Sequence, residues 1–459
     1  MSNIHDQAMH YIHQQVLERL LGHMTLAQRA SLQLLIQRFL VMAGGPNGIG
    51  SFRLLVVHSG DRRSARMLAI LRAAQLSIAL RAPATFHLRV LVTSLPAISG
   101  ALLEHHERCF NALFMHDDPR VQMDMIEGGR TRRFCSRPSG AGRQWPLARE
   151  ALLLFGHLVD SRPEALLGSR MHLELADALH GALEEQSVGG LVTALPARQR
   201  RHFLAWARRS MRLAGEPNTA NVHQCMATLF GRLGRLHATA VLPVEQADLT
   251  VATPCEHAPV QLIAIDDLFP HMLSEGGLDH MLGCRFEPAQ ETLPLAVFLD
   301  PLAAAQLHEM RVQCIAPAAR KETLRLACQK GTKNRPVAQP LRFAKAYGIE
   351  QTQLVCMLYS PFADQGRGLE RFLQCRHADM LVALPYLHRA LQGKACPDAV
   401  RDWLVNTSGL GISHLRAIYD GRVQRGARRL LANLARRDVH LELLRRQPGP
   451  RVPSCEAAS

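Results

Sequence analysis

The stretch Phe52-Arg-Leu-Leu-Val-Val-His58, followed by Ser59-Gly60-Asp61 and a helical run over residues 62–80, decides the fold class. A short apolar run rich in Leu and Val, bounded by turn-forming residues, reads as a buried strand, and the longer run after it reads as a helix. Residues 86–92 supply a second strand pattern. Strand, helix and strand in that order make a βαβ unit, whose crossover is right-handed when the strands are parallel. The chain is therefore expected to be α/β.

Upstream, Thr25-Leu-Ala-Gln28 has the form of a capping box and opens a helix through Leu32, Leu35, Ile36, Phe39 and Leu40, which Gly44, Gly45 and Pro46 stop. Downstream, residues 121–126 and 131–135 have the pattern of a hairpin about Glu127-Gly128-Gly129. Pro138, Gly140 and Gly142 mark a linker, and 141–236 reads as a helical insert whose clearest helices cover 171–185 and 197–213. Strand patterns return at 237–242, 260–265, 295–299, 312–315 and 353–358. The expected organisation is two sheet-containing units, 1–140 and 237–366, with the insert between them. A basic helical region, 367–446, and a disordered tail, 447–459, follow.

Charge is divided unevenly along the chain. Residues 1–245 carry a net +10, residues 246–318 a net −8 and residues 319–459 a net +13. An acidic middle between basic ends implies an internal electrostatic contact or separate surfaces for separate partners. Of the 54 basic residues 49 are Arg, and the guanidinium makes planar bidentate contacts to phosphate and carboxylate that Lys cannot. The helix at 197–213 contains Arg198, Arg200, Arg201, Arg208, Arg209 and Arg212 and no acid, which suits it to phosphate or to an acidic protein face. The basic C-terminal third supplies the main polyanion-binding candidates: Arg320, Lys321, Lys330, Lys333 and Arg335 in a loop, and Arg422, Arg425, Arg428, Arg429 and Arg436 on a helix. Aromatic residues in that third are not grouped as a base-stacking platform, so binding there is expected to be electrostatic.

Ser59, Gly60, Arg62 and Arg63 lie where a strand gives way to a helix, a place where backbone donors hold anions. Asp266 and Asp267 follow one strand pattern and Asp300 another. Carboxylates beyond the carboxyl ends of parallel strands can hold a divalent cation such as Mg or serve as helix caps. His105, His106, Cys109, His116, Asp117 and Asp118 fall within fourteen residues and are all metal-ligand types. The chain contains no phosphate-binding G-x-x-x-x-G-K-[ST], no G-x-S-x-G and no H-E-x-x-H.

The 11 cysteines are scattered without a C-x-x-C pair, which argues for reduced core thiols instead of a disulfide framework or zinc ribbon. Residues 1–15 lack a basic region followed by an apolar block, so no cleaved signal peptide is expected. The most apolar uncharged stretch, 90–103, is too short for a membrane span and contains Pro96 and Gly100. These features point to a cytoplasmic, bacterial-type binding or regulatory protein whose Arg-rich surfaces engage nucleic acid or an acidic protein. The alternatives are a protein-interaction or secretion-associated factor without catalysis, for which signal-independent secretion is compatible with the sequence, and a divalent-metal-dependent enzyme acting on a phosphorylated or nucleotide substrate.

Overall fold

A computed structural model describes residues 2–94, 100–127, 130–137, 145–158, 163–185, 187–195, 197–213, 226–241, 260–270, 277–286, 344 and 347–422. The described residues form an α/β protein that divides into two units. The first draws on 1–145, 172–242 and 246–298, and the second on 146–171, 243–245 and 299–459.

Along the chain, helices α1 (Ser2–Gly22) and α2 (Leu26–Met42) precede β1 (Arg53–Val57), α3 (Arg62–Ala79), β2 (His87–Ser94) and α4 (Gly100–Ala112), all in the first unit. Strands β3 (Val121–Glu127) and β4 (Arg130–Arg133) follow in the same unit; α5 (Trp145–Gly156) falls in the second unit but for its first residue, and α6 (Pro163–Glu185) belongs to the first from residue 172 onward. The remaining elements are β5 (Gly190–Thr193), α7 (Ala197–Leu213), α8 (Met226–Val241), β6 (Gln261–Ala264) and α9 (Leu278–Leu282). The capping box at Thr25 forms as its sequence predicts, with Gln28 N donating to Thr25 Oγ1 and Thr25 N donating to Gln28 Oε1.

The six strands make one sheet in the order β4-β3-β2-β1-β5-β6. Every neighbouring pair is parallel except the β3–β4 hairpin. The parallel part is doubly wound: it grows from β1 towards β3 on one side and from β5 to β6 on the other, leaving a switch point between β1 and β5. Leu54, Leu55 and Val56 of β1 are fully buried. Helix α3 buries 15 of its 18 residues, as a helix at the centre of a unit must, and both α1 and α2 pack on it.

Two of the residues that α3 buries, Arg72 and Gln75, anchor a polar network. Arg72 is 0% exposed and donates through Nη1 to Asp118 Oδ2 (2.7 Å) and Gln75 Oε1 (2.6 Å), through Nη2 to Phe114 O (2.9 Å) and through Nε to Leu113 O (3.2 Å). Gln75 in turn donates to Phe86 O at 2.9 Å. Asp118 also accepts from the side chain and backbone of Arg120. Burial works to raise the Asp118 carboxyl, but the hydrogen bonds from Arg120 and the charge of Arg72 outweigh it and hold the carboxyl well below the usual carboxylate range. This network ties α3 to the loops that enter β2 and β3.

Several sequence expectations change. The strand pattern at 260–265 is real, but β6 pairs with β5 in the first sheet and does not open a second one. Strand β5, inside the segment read as a helical insert, joins β1 to β6. Residues 237–241 are the last turn of α8, whose Leu229, Phe230, Leu233 and Leu236 recur at helical spacing. Residues 353–358 lie within helix Gln351–Tyr359, opened by a capping box between Glu350 and Gln353. A short apolar run is compatible with either a buried strand or a buried helix, and in both places the flanking periodicity or cap decides. The patterns at 295–299 and 312–315 lie outside the described residues.

The second unit is helical where described: Gln351–Tyr359, Leu369–Arg376, Leu384–Leu391, Asp398–Ser408 and Ile412–Tyr419 accompany α5. Arg149 of α5 donates to Gly348 O (2.9 Å), Gly409 O (3.2 Å) and Gln353 Oε1 (2.7 Å), joining three of its segments. Among the described residues no helix is long and apolar enough to cross a membrane.

Candidate functional site

Open α/β sheets bind ligands beyond the carboxyl ends of their strands at the switch point, so the loops after β1, β5 and β6 come first. Ser59, Gly60, Arg62 and Arg63 do meet there. Asp61 caps α3, accepting from Ser64 N (2.7 Å) and from Ser59 Oγ (3.0 Å). A carboxylate of the chain thus occupies the helix N-terminus where an anion would sit. Arg62 donates to Phe286 O (3.2 Å) and lies 3.7 Å from Asp279, and Arg63 donates to Ala194 O (3.2 Å). Both guanidinium groups tie neighbouring loops together. Gly60 has φ +78°, and a Cβ there would lie 2.6 Å from Leu102 Cδ1, so the turn is pressed against α4 and needs glycine.

Beneath this turn lies a buried histidine cluster. His58 and His106 share a hydrogen bond between their Nδ1 atoms (2.5 Å), one ring donating to the other, and Phe110 and Phe134 surround the pair. His105 stands against the Phe286 ring at 4.1 Å. Burial pushes His58 down to about 3 and His105 to about 4, and lowers His106 well below the ordinary histidine value, so all three are neutral at pH 7. Burial likewise raises the Cys109 thiol. The other members of the crowded 105–118 segment point elsewhere: His116 faces Glu107 at 3.0 Å and Asp118 belongs to the Arg72 network. Among the described residues no three His, Cys, Asp or Glu side chains gather in a way that would hold a metal ion.

Asp266 and Asp267 lie just beyond β6, and each meets an arginine. Asp266 accepts from Ala197 N at the start of α7 (3.1 Å) and pairs with Arg200. Asp267 binds Arg38 of α2 through both oxygens, at 2.6 and 3.3 Å, which together with its other contacts lowers its carboxyl. With Asp279 beside Arg62, every described acid of the acidic middle segment contacts an arginine of residues 1–245. Within the described residues the charge split is an internal contact. Asp300 lies outside them.

Helix α7 is different. Leu204, Trp206, Ala207, Ser210 and Met211 are buried, while Arg201 and Arg212 are exposed and Arg208 is half-buried on the opposite side. Spacings of seven and four residues put these three arginines on one stripe about 16 Å long at 1.5 Å per residue. None of the three makes a hydrogen bond or ion pair with the described residues, and α7 contains no acid. Arg200, on the inner side, is the one that Asp266 neutralises. Of the C-terminal polyanion candidates only Arg422 is described; it is exposed and 3.0 Å from Asp420. Arg320, Lys321, Lys330, Lys333, Arg335, Arg425, Arg428, Arg429 and Arg436 lie outside the described residues. Compared with known protein families, curated proteins and solved structures, the chain matches none.

Proposed function

We propose that this protein binds a polyanion along the outer stripe of α7, with the backbone of a nucleic acid as its partner. The observation that carries the reading is the set Arg201, Arg208 and Arg212, without a partner among the described residues, on a helix that contains no acid and is anchored at its N-terminus by Asp266. The described acids of the middle segment, Asp266, Asp267 and Asp279, pair with Arg200, Arg38 and Arg62, and none of them contacts this stripe. Over its length of about 16 Å one strand of duplex DNA presents about five phosphates at 3.4 Å each, enough for three guanidinium groups to take one apiece. The only tryptophan of α7, Trp206, is 3% exposed and cannot stack on a base, so the binding is electrostatic, without base reading.

The test is a salt-titrated binding assay of the full chain with mixed-sequence duplex DNA, single-stranded RNA and polyglutamate. The reading expects nucleic acid to bind in preference to polyglutamate, with affinity falling steeply as salt rises. Preference for polyglutamate would move the partner to an acidic protein. Binding to none of the three would refute the reading.

A further inference from the structure

We propose that the chain pairs with a second copy of itself through residues 379–389 of the second unit, across a two-fold axis at Leu384. The 3₁₀ helix Ala378–Ala383 runs directly into helix Leu384–Leu391. Their junction carries Met380-Leu-Val-Ala-Leu-Pro-Tyr386, seven consecutive apolar residues of which none is buried. Val382 is 86% exposed and Tyr386 45%. The run is not a core that failed to form, because Leu387, Ala390 and Leu391 on the inner side of the same helix are fully buried. Single exposed apolar residues are ordinary, but folds avoid an uninterrupted exposed run of this length unless it is a surface for something that covers it.

The order of charges along the patch identifies the occupant. Asp379, Val382, Pro385, Tyr386 and Arg389 are all exposed, and spacings of three residues in the 3₁₀ helix and of three or four in the α-helix keep them on one face. An acid opens the patch, apolar side chains fill its middle and a base closes it. Neither Asp379 nor Arg389 has a partner among the described residues. An isologous contact brings residue i of one copy to residue j of the other, and j to i. Reversal about Leu384 sets Asp379 of each copy against Arg389 of the other, and Val382 of each against Tyr386 of the other. The patch is thus complementary to itself, whereas a partner surface of one sign, such as a nucleic acid backbone or an anionic membrane, would repel one of its ends. The segment is roughly 18 Å long and about 10 Å wide, a footprint below the about 800 Å² per partner that a stable dimer buries. The pairing is therefore weak and depends on concentration.

Sedimentation equilibrium of the full-length protein, treated with nuclease so that nucleic acid on α7 cannot bridge two copies, is followed over a concentration series reaching several hundred micromolar. The expected result is a monomer–dimer equilibrium. Val382→Asp places an unpaired charge in the apolar middle and abolishes the dimer. Asp379→Arg and Arg389→Asp, tested separately, each set like charges against one another twice across the axis and weaken the Kd about tenfold. An equimolar mixture of these two variants restores the native affinity, because in the mixed pair both end contacts again join opposite charges, a rescue that local damage to the fold could not produce. The substituted positions are exposed, so each variant keeps the native thermal unfolding midpoint. A monomer throughout the series overturns the pairing and leaves the patch to a different partner, and a dimer that Val382→Asp leaves unchanged overturns it too. A dimer lost in Val382→Asp but not rescued by mixing the two charge variants overturns the two-fold register.

Discussion

Helices α3 and α7 follow the two strands that flank the switch point, and both carry arginine, yet they use it in opposite ways. Helix α3 buries Arg72 in a closed network with Gln75, Asp118 and the backbone carbonyls of Phe86, Leu113 and Phe114. Helix α7 turns Arg201, Arg208 and Arg212 outward with no partner among the described residues. A buried guanidinium is held by what it already binds, whereas an outward stripe that no described residue pairs is open to an external anion. The number of arginines therefore says little about function, and their pairing says much.

Acid should act on the α3 side of the molecule first. His13, His58 and His105 have folded values lowered to about 4, 3 and 4. As pH falls below about 6.5 the unfolded chain takes up protons that the folded chain refuses, so stability declines from there down to the folded values. Each histidine contributes a slope of about 1.4 kcal/mol per pH unit in that window. Urea unfolding at pH 7.5, 6.0 and 5.0 checks this, and equal stabilities across the series would contradict the burial of the cluster. The Asp118 contribution has the same sign but is lost only at more acidic pH, below the usual carboxylate range.

Removing one partner of the buried pair comes next. Asp118→Asn leaves Arg72 charged and unmatched in the interior and should cost about 3–5 kcal/mol, read as a lowered urea midpoint at pH 7. A loss under 1 kcal/mol would place the pair in solvent. Gly60→Ala combines positive φ with a Cβ 2.6 Å from Leu102 and should cost about 2 kcal/mol, measured the same way; an unchanged midpoint would mean that the turn relaxes freely. The smallest effect belongs to α7. Replacing Arg201, Arg208 and Arg212 together with Gln should change stability by no more than about 0.5 kcal/mol, and a large loss in thermal unfolding would show the stripe to be structural.

How much of this was legible in the sequence follows the same divide. Helix α7 could be bounded at 197–213 from its amphipathic spacing alone, and its lack of acids was visible at once. The capping box at Thr25 and the β3–β4 hairpin are likewise local patterns with local causes. Strand β5, only four residues long, carried too little pattern to stand out between two helices, and without it β6 could not be placed beside β1's sheet. The burial of Arg72 was not legible, because nothing near it in sequence indicates Asp118, 46 residues away. Asp118 itself was grouped with its sequence neighbours as a metal-ligand type, when its partners come from α3 and from Arg120.

The most direct test of the central claim is the salt dependence of duplex DNA binding, measured for the native chain and for the variant with Arg201, Arg208 and Arg212 replaced by Gln. Three lost phosphate contacts should reduce the slope of log K against log salt by about 2.7, at about 0.9 per contact, with the folded state intact. A variant that binds with the native slope and affinity would contradict the assignment of α7 as the polyanion-binding surface.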